Sequence, residues 1–173
     1  MKKKQTHLAY GIITGVVMSI VTMVMYMTGI AFNKPFISIL IVLPISLTLL
    51  ILNGVAYSKA NEGFVTYGNV YGSCFKVSLI RSVFALALGI VILIAFPEYK
   101  DKTMEASRAM MEKMNGLSDD MIDKQIEMSR KTYSFSMTGG QLIFTIIGGA
   151  IASLIAAAIP KKLGERPFTA DNF

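Results

Sequence analysis

The sequence predicts an all-α membrane protein with four transmembrane helices, and three observations carry that prediction. Apolar residues fall into four blocks, residues 8–32, 36–57, 74–96 and 137–159. Each is long enough for a hydrocarbon core, which takes roughly 20 residues of helix. Hydrophobic residues make up 53% of the 173 positions, and their concentration into blocks of this length excludes an ordinary soluble core. Polar residues gather between the third and fourth blocks, where residues 98–133 read as a helical hairpin outside the bilayer. The chain 1–173 is thus predicted to form a single membrane domain.

The formal charge of +6 does not indicate nucleic acid. The basic residues flank the spans instead of lining one face, so the predicted partner is a bilayer with anionic headgroups. Cys74 is the only cysteine, which excludes an intramolecular disulfide. With one histidine, His7, far from it in sequence, no metal-ligand set is predicted.

Lys2, Lys3 and Lys4 precede the first apolar block. That block is longer than the roughly 7–15 residues of a secretory signal core, so it is predicted to stay as a span. Gly11 and Gly15 form a GxxxG pair within it, a signal for close approach of another helix. Asn33-Lys34-Pro35 ends it as a tight turn, because proline restricts the residue before it. The second span contains Pro44, which removes one backbone hydrogen bond and predicts a kink near residues 40–44. Ser46, Thr48 or a neighbouring helix would satisfy the freed carbonyl. Asn53, near the end of this span, is expected to face protein.

The stretch from Asn61 to Arg81 organises the chain. Thr66 is the predicted N-cap, and no breaker follows from Tyr67 to Pro97. The third helix is therefore extended: about 30 residues give roughly 45 Å, longer than a hydrocarbon core, so it starts at the cytoplasmic interface. Phe64, Tyr67, Tyr71 and Phe75 recur at helical spacing. Lys76 and Arg81 follow as phosphate-reaching cations. Arg81 lies clearly inside an apolar run, where an ionisable residue marks a functional site. It lies only about 7 Å beyond Lys76, within snorkelling reach of the interface as a topology anchor. Ala85 and Gly89 form a second small-residue pair.

The polar segment 97–133 holds seven Lys/Arg and eight Asp/Glu, for a net charge of −1. Two helices fit it. The first ends at Asn115-Gly116. The second is capped by Ser118, with Asp119 and Asp120 in its positive first turn and Leu117 stapling onto Ile122. Met104, Met110, Met111, Met114, Met121 and Met128 are the expected apolar stripe between them. Thioethers bind copper(I), but without nearby Cys or His this spacing reads as flexible packing. In the fourth span, Gly148, Gly149, Ala152, Ser153 and Ala156 give a smooth face for helix contact. Gly139-Gly140 loosens its entry, and Pro160-Lys161-Lys162 stops it.

Positive residues assign the sides. The amino-terminal lysines, Lys59, Lys76, Lys161, Lys162 and Arg166 share one side, which the positive-inside rule places in the cytoplasm. Both termini are then cytoplasmic, and residues 97–136 periplasmic.

The combination resembles the domain-of-unknown-function family 4199, four-helix membrane proteins found mainly in Bacteroidetes-type bacteria. The likeness rests on Tyr10-Gly11 in the first span, Gly63-Phe64-Val65-Thr66-Tyr67-Gly68 followed by Phe75-Lys76, and a Met-, Glu- and Lys-rich outer segment before the last span. It implies a small four-helix membrane protein, and no activity, substrate or catalytic residue; the expected location is the bacterial inner membrane.

No nucleophile–base pairing, metal motif or phosphate-binding glycine loop is present, so no catalytic, cofactor-binding or metal residue is predicted and an enzyme is not expected. The leading expectation is a non-catalytic accessory or assembly subunit of an envelope complex, with a membrane-protein partner or a second copy of itself. The alternative is a carrier or lipid-handling protein, with Lys76, Arg81, Tyr67 and Tyr71 around an anionic lipid or small anion. Gly11, Gly15, Ala85, Gly89, Gly148, Gly149 and Ala152 are the predicted helix-packing residues.

Overall fold

The computed structural model describes residues 4–113, 116 and 118–164. The described residues are helical, in the order α1 (His7–Met27), α2 (Ile30–Asn33), α3 (Pro35–Ala60), α4 (Tyr67–Ala95), α5 (Glu98–Glu112), α6 (Asp119–Phe135), a π-helical turn (Ser136–Gly140) and α7 (Gln141–Ala158). Four helical rods among them are long and apolar enough to cross a membrane: His7–Met27, Pro35–Ala60, Tyr67–Ala95 and Asp119–Ala158.

The four spans alternate in direction. Gly11 faces Ile80 and Gly15 faces Phe84, so α1 and α4 run parallel. Asn53 bonds Ser73 while Arg81 reaches Ser46, so α3 runs against α4. Gly149 abuts Ser78 and Gly89 abuts Met137, so α7 also runs against α4. The central helix is α4, packed on α1, α3 and α7. Its start is fixed by a reciprocal cap: Thr66 Oγ1 accepts from the Asn69 amide, and Asn69 Oδ1 accepts from the Thr66 amide.

One end of the bundle is tied by backbone and amide bonds. The Lys4 amide donates to Asn61 Oδ1 at 2.9 Å, Leu163 N donates to Gly63 O at 2.7 Å, and Ser58 donates to the Lys161 carbonyl. Lys162 Nζ donates to the Ala157 and Ala158 carbonyls, closing the negative end of α7. Glu62 and Gly63 turn the chain there with positive φ. The opposite end carries α2, α5 and α6.

Three expectations are corrected. The block 8–32 is not one helix: Gly29, at φ +73°, stops α1 in a left-handed turn and sends α2 off separately. The fourth span does not begin at a loosened Gly139-Gly140. These glycines lie in the π turn, where one added residue per turn joins α6 to α7 without a break. The second hairpin helix is therefore the outward continuation of the fourth span. The hairpin core is not a methionine stripe either: Tyr99, Met104, Ile122 and Tyr133 are buried, whereas Met110, Met121 and Met128 are exposed. Ser118 stands at the α6 N-cap position without a side-chain hydrogen bond. Met114, Asn115, Leu117, Lys2, Lys3 and Arg166 lie outside the described residues. α3 passes through Pro44 as a single helix.

Candidate functional site

The packing face of α4 places Val70, Ser73, Cys74, Val77, Ser78 and Ser82 in the interior. Small side chains here let neighbouring helices approach, which is how bundles cohere where lipid is as apolar as the protein. A Cβ on Gly89 would lie 2.1 Å from the Met137 carbonyl oxygen, and one on Gly149 would lie 2.5 Å from Ser78 Cβ. Gly11 and Gly15 are equally tight against Ile80 and Phe84. Ala152 packs partly buried against the core around Leu50, Tyr57 and Val70. Gly148 differs: nothing lies within 4 Å of a Cβ there, and it faces outward. Gly54, not anticipated from the sequence, sits against Pro160 and Val70.

Most interior polar side chains are bonded, Ser78, Ser82 and Ser153 to backbone carbonyls, whereas Thr14 Oγ1 is buried without a partner. Asn53 is fully buried. It accepts from Thr6 Oγ1 at 2.8 Å and donates to Ser73 Oγ at 3.1 Å and to Cys74 Sγ at 3.6 Å. The Cys74 thiol donates to the Leu50 carbonyl at 3.4 Å, and is a buried packing group. Among the described residues no three His, Cys, Asp or Glu cluster as metal ligands.

The residues proposed to cradle an anionic head do not converge. Tyr71 and Phe75 stack with centroids 5.9 Å apart. Tyr67 spends its hydroxyl on the Leu154 carbonyl at 2.7 Å. Lys76 is exposed. Arg81 is turned into the bundle, where Nη1 donates to Ser46 Oγ on α3. Tyr67 and Arg81 are separated by about 21 Å of helix rise, and Tyr71 and Arg81 by about 15 Å. One headgroup cannot contact both ends of that set. The Arg81–Ser46 contact lies midway along both α4 and α3.

What surrounds Arg81 is a cavity of about 40 Å³ between α1, α4 and α7. Ser19 and Thr22 line it from α1, Gln141 and Thr145 from α7, with Gly15 and Ala85 leaving the space. Sequence reasoning passed over Ser19, Thr22 and Thr145, and placed Gln141 only near the interface. Their signal was present: Ser19/Thr22 and Gln141/Thr145 are three and four apart, hence on one face each, inside otherwise apolar runs.

A second feature lies at the α2–α5 end. Tyr99 stacks on Tyr26 (5.5 Å) and Phe96 (5.2 Å) and meets Phe32 edge-on at 5.4 Å. Lys102 Nζ sits 5.1 Å over the Tyr99 ring. Aromatic rings of this kind favour the membrane–water boundary.

With the helices and their contacts placed, the family can be tested against the whole bundle. The model of a family described as protein of unknown function (DUF4199) matches residues 9–162, which cover all four spans and the hairpin. The chain belongs to that family. Comparison with curated proteins and with solved structures gives no match. In this DUF4199 member the matched region ends at Lys162, the residue that closes α7.

Proposed function

We propose that this protein is a non-catalytic accessory or assembly subunit of a bacterial envelope complex, seated in the inner membrane. Its termini are cytoplasmic, and residues 97–136 face the periplasm. The observation that carries the reading is an unpartnered apolar ridge on α6. Met121, Met128 and Phe135 recur every seven residues and are 55%, 64% and 64% exposed. That repeat puts them on one side of the helix, the seam along which a second helix packs. Methionine suits such a contact because its unbranched thioether adapts to the surface it meets. The sidedness is supported by the positive-inside rule, since Lys59, Lys161 and Lys162 gather at the tied end of the bundle.

Native protein extracted in mild detergent should carry a stoichiometric protein partner, identified by mass spectrometry. Met121→Glu together with Met128→Glu should release it without changing insertion or melting temperature. Wild-type protein that emerges alone, or a partner that survives the double substitution, overturns the docking role. For sidedness, a membrane-impermeant maleimide should label Lys124→Cys but not Lys161→Cys in cells with a permeabilised outer membrane. The reverse pattern would invert the topology.

A further inference from the structure

We propose that the cavity beside Arg81 binds one small monovalent anion of halide size, held at mid-depth in the bundle. This is independent of the docking role of α6. Arg81 is fourteen residues from either end of α4, and its partner Ser46 lies well inside α3. The guanidinium is therefore in the middle of the spans. It cannot shed its charge, because arginine does not deprotonate in proteins. A charge in low-dielectric surroundings is costly until it is paired.

The described residues of α1, α3, α4 and α7 supply no counter-charge. Of its eleven carboxylates, Glu62 lies in the α3–α4 turn, eight lie between Glu98 and Glu127, and Glu165 and Asp171 are in the tail. None falls within α1, α3, α4 or α7. Among the described residues Arg81 forms no ion pair, and Ser46 accepts one of its five N–H groups. Arg81 also lines a cavity whose other polar walls are Ser19, Thr22, Gln141 and Thr145. Hydroxyl and amide N–H groups donate to an anion, and no carboxylate is present to repel it.

Size and charge then select the ligand class. About 40 Å³ is room for roughly three water-sized particles. That admits chloride or bromide with a water, and excludes a phospholipid headgroup or a polyprenyl phosphate. Water alone would fill the space but leave the cation unneutralised.

The test uses the full chain in nanodiscs, with sodium gluconate exchanged for sodium chloride or bromide at constant ionic strength. Melting temperature should rise saturably with either halide, and protein should broaden the chlorine-35 resonance until bromide competes. Arg81→Gln should abolish both effects. Ser19→Ala with Thr145→Val, which leaves Arg81 in place, should raise the half-saturating concentration at least tenfold while keeping the gluconate melting temperature. Equal melting in gluconate and chloride overturns the proposal, as does an unchanged halide response in Arg81→Gln. Should Arg81→Gln not fold, an unaltered half-saturation in the double variant overturns it instead. Displacement of chloride by a short-chain phosphatidylglycerol would assign the charge to a lipid phosphate and overturn the size argument.

Discussion

The bundle and the outer hairpin are both helical but are held together by different means. In the bundle, contact is made by what is missing: Gly11, Gly15, Gly89 and Gly149 let side chains or backbone sit where a Cβ would be. Asn53 spends its side chain inside, on Thr6, Ser73 and Cys74. In the hairpin, α5 and α6 share a thin apolar seam of Tyr99, Met104, Ile122 and Tyr133. They are otherwise bridged by exposed ion pairs, Arg108–Asp123 at 2.8 Å and Arg130–Asp101 at 3.0 Å. Exposed pairs stabilise little and weaken with salt. The bundle is thus sterically specified, whereas the hairpin is free to adjust to a surface.

That contrast breaks first at the close approaches. Gly89→Leu should cost at or above the roughly 3 kcal/mol upper end of ordinary overpacking, because the obstacle is Met137 backbone and not a mobile side chain. Gly149→Leu should lose about 1–3 kcal/mol against Ser78. Gly148→Leu, one residue away and facing open space, should stay within about 0.5 kcal/mol of wild type. Melting of the three variants in detergent checks the order, and equal losses at 148 and 149 would contradict the packing described. Asn53→Leu comes next. It strands Ser73 Oγ in the interior and frees Thr6, at a cost of about 1–3 kcal/mol, readable as an earlier unfolding midpoint. A melting curve identical to wild type would mean the network holds nothing.

The smallest effect belongs to the hairpin. Lys131, 2.6 Å from Glu127, holds that carboxyl below its ordinary value of 4.5. A depressed carboxylate contributes above its ordinary value and loses the contribution as pH falls below it. Acidification through that range should quicken amide exchange in α6, corrected for its intrinsic pH dependence, before it affects α4. Uniform loosening of both helices would erase the distinction between the two regions.

How much of this was legible follows from what each residue depends on. The capping role of Thr66 and the inward face of Asn53 are local or hydropathic properties, and both are visible in the sequence. So are Gly11, Gly15, Gly89 and Gly149 as packing sites, since a small residue in a span has few other uses. The direction of Arg81 was not legible. Its nearness to Lys76 along the chain suggested the interface, whereas α3 offers Ser46 at mid-depth, and that pairing depends on how helices register against one another. Gly148 and Gly149 are equally small, and only the rotation of α7 decides which one meets α4. Gly139-Gly140 looked like a loosened entry because glycine weakens isolated helices. Here Met137 is seated against Gly89, and helical hydrogen bonding continues as a π turn.

That uninterrupted rod has a mechanical consequence. From Asp119 to Met137 it extends about 27 Å, and from Met137 to Ala158 about 31 Å, with the Gly89 contact between the two arms as a fulcrum. With no loop to absorb displacement, a tilt imposed on the outer arm is carried to the inner one in the opposite sense. There Ala156 and Pro160 meet Gly54, and Ser58 grips the chain at Lys161. A load on the Met121 ridge is therefore balanced at the tied end of the bundle, so the rod acts as a lever.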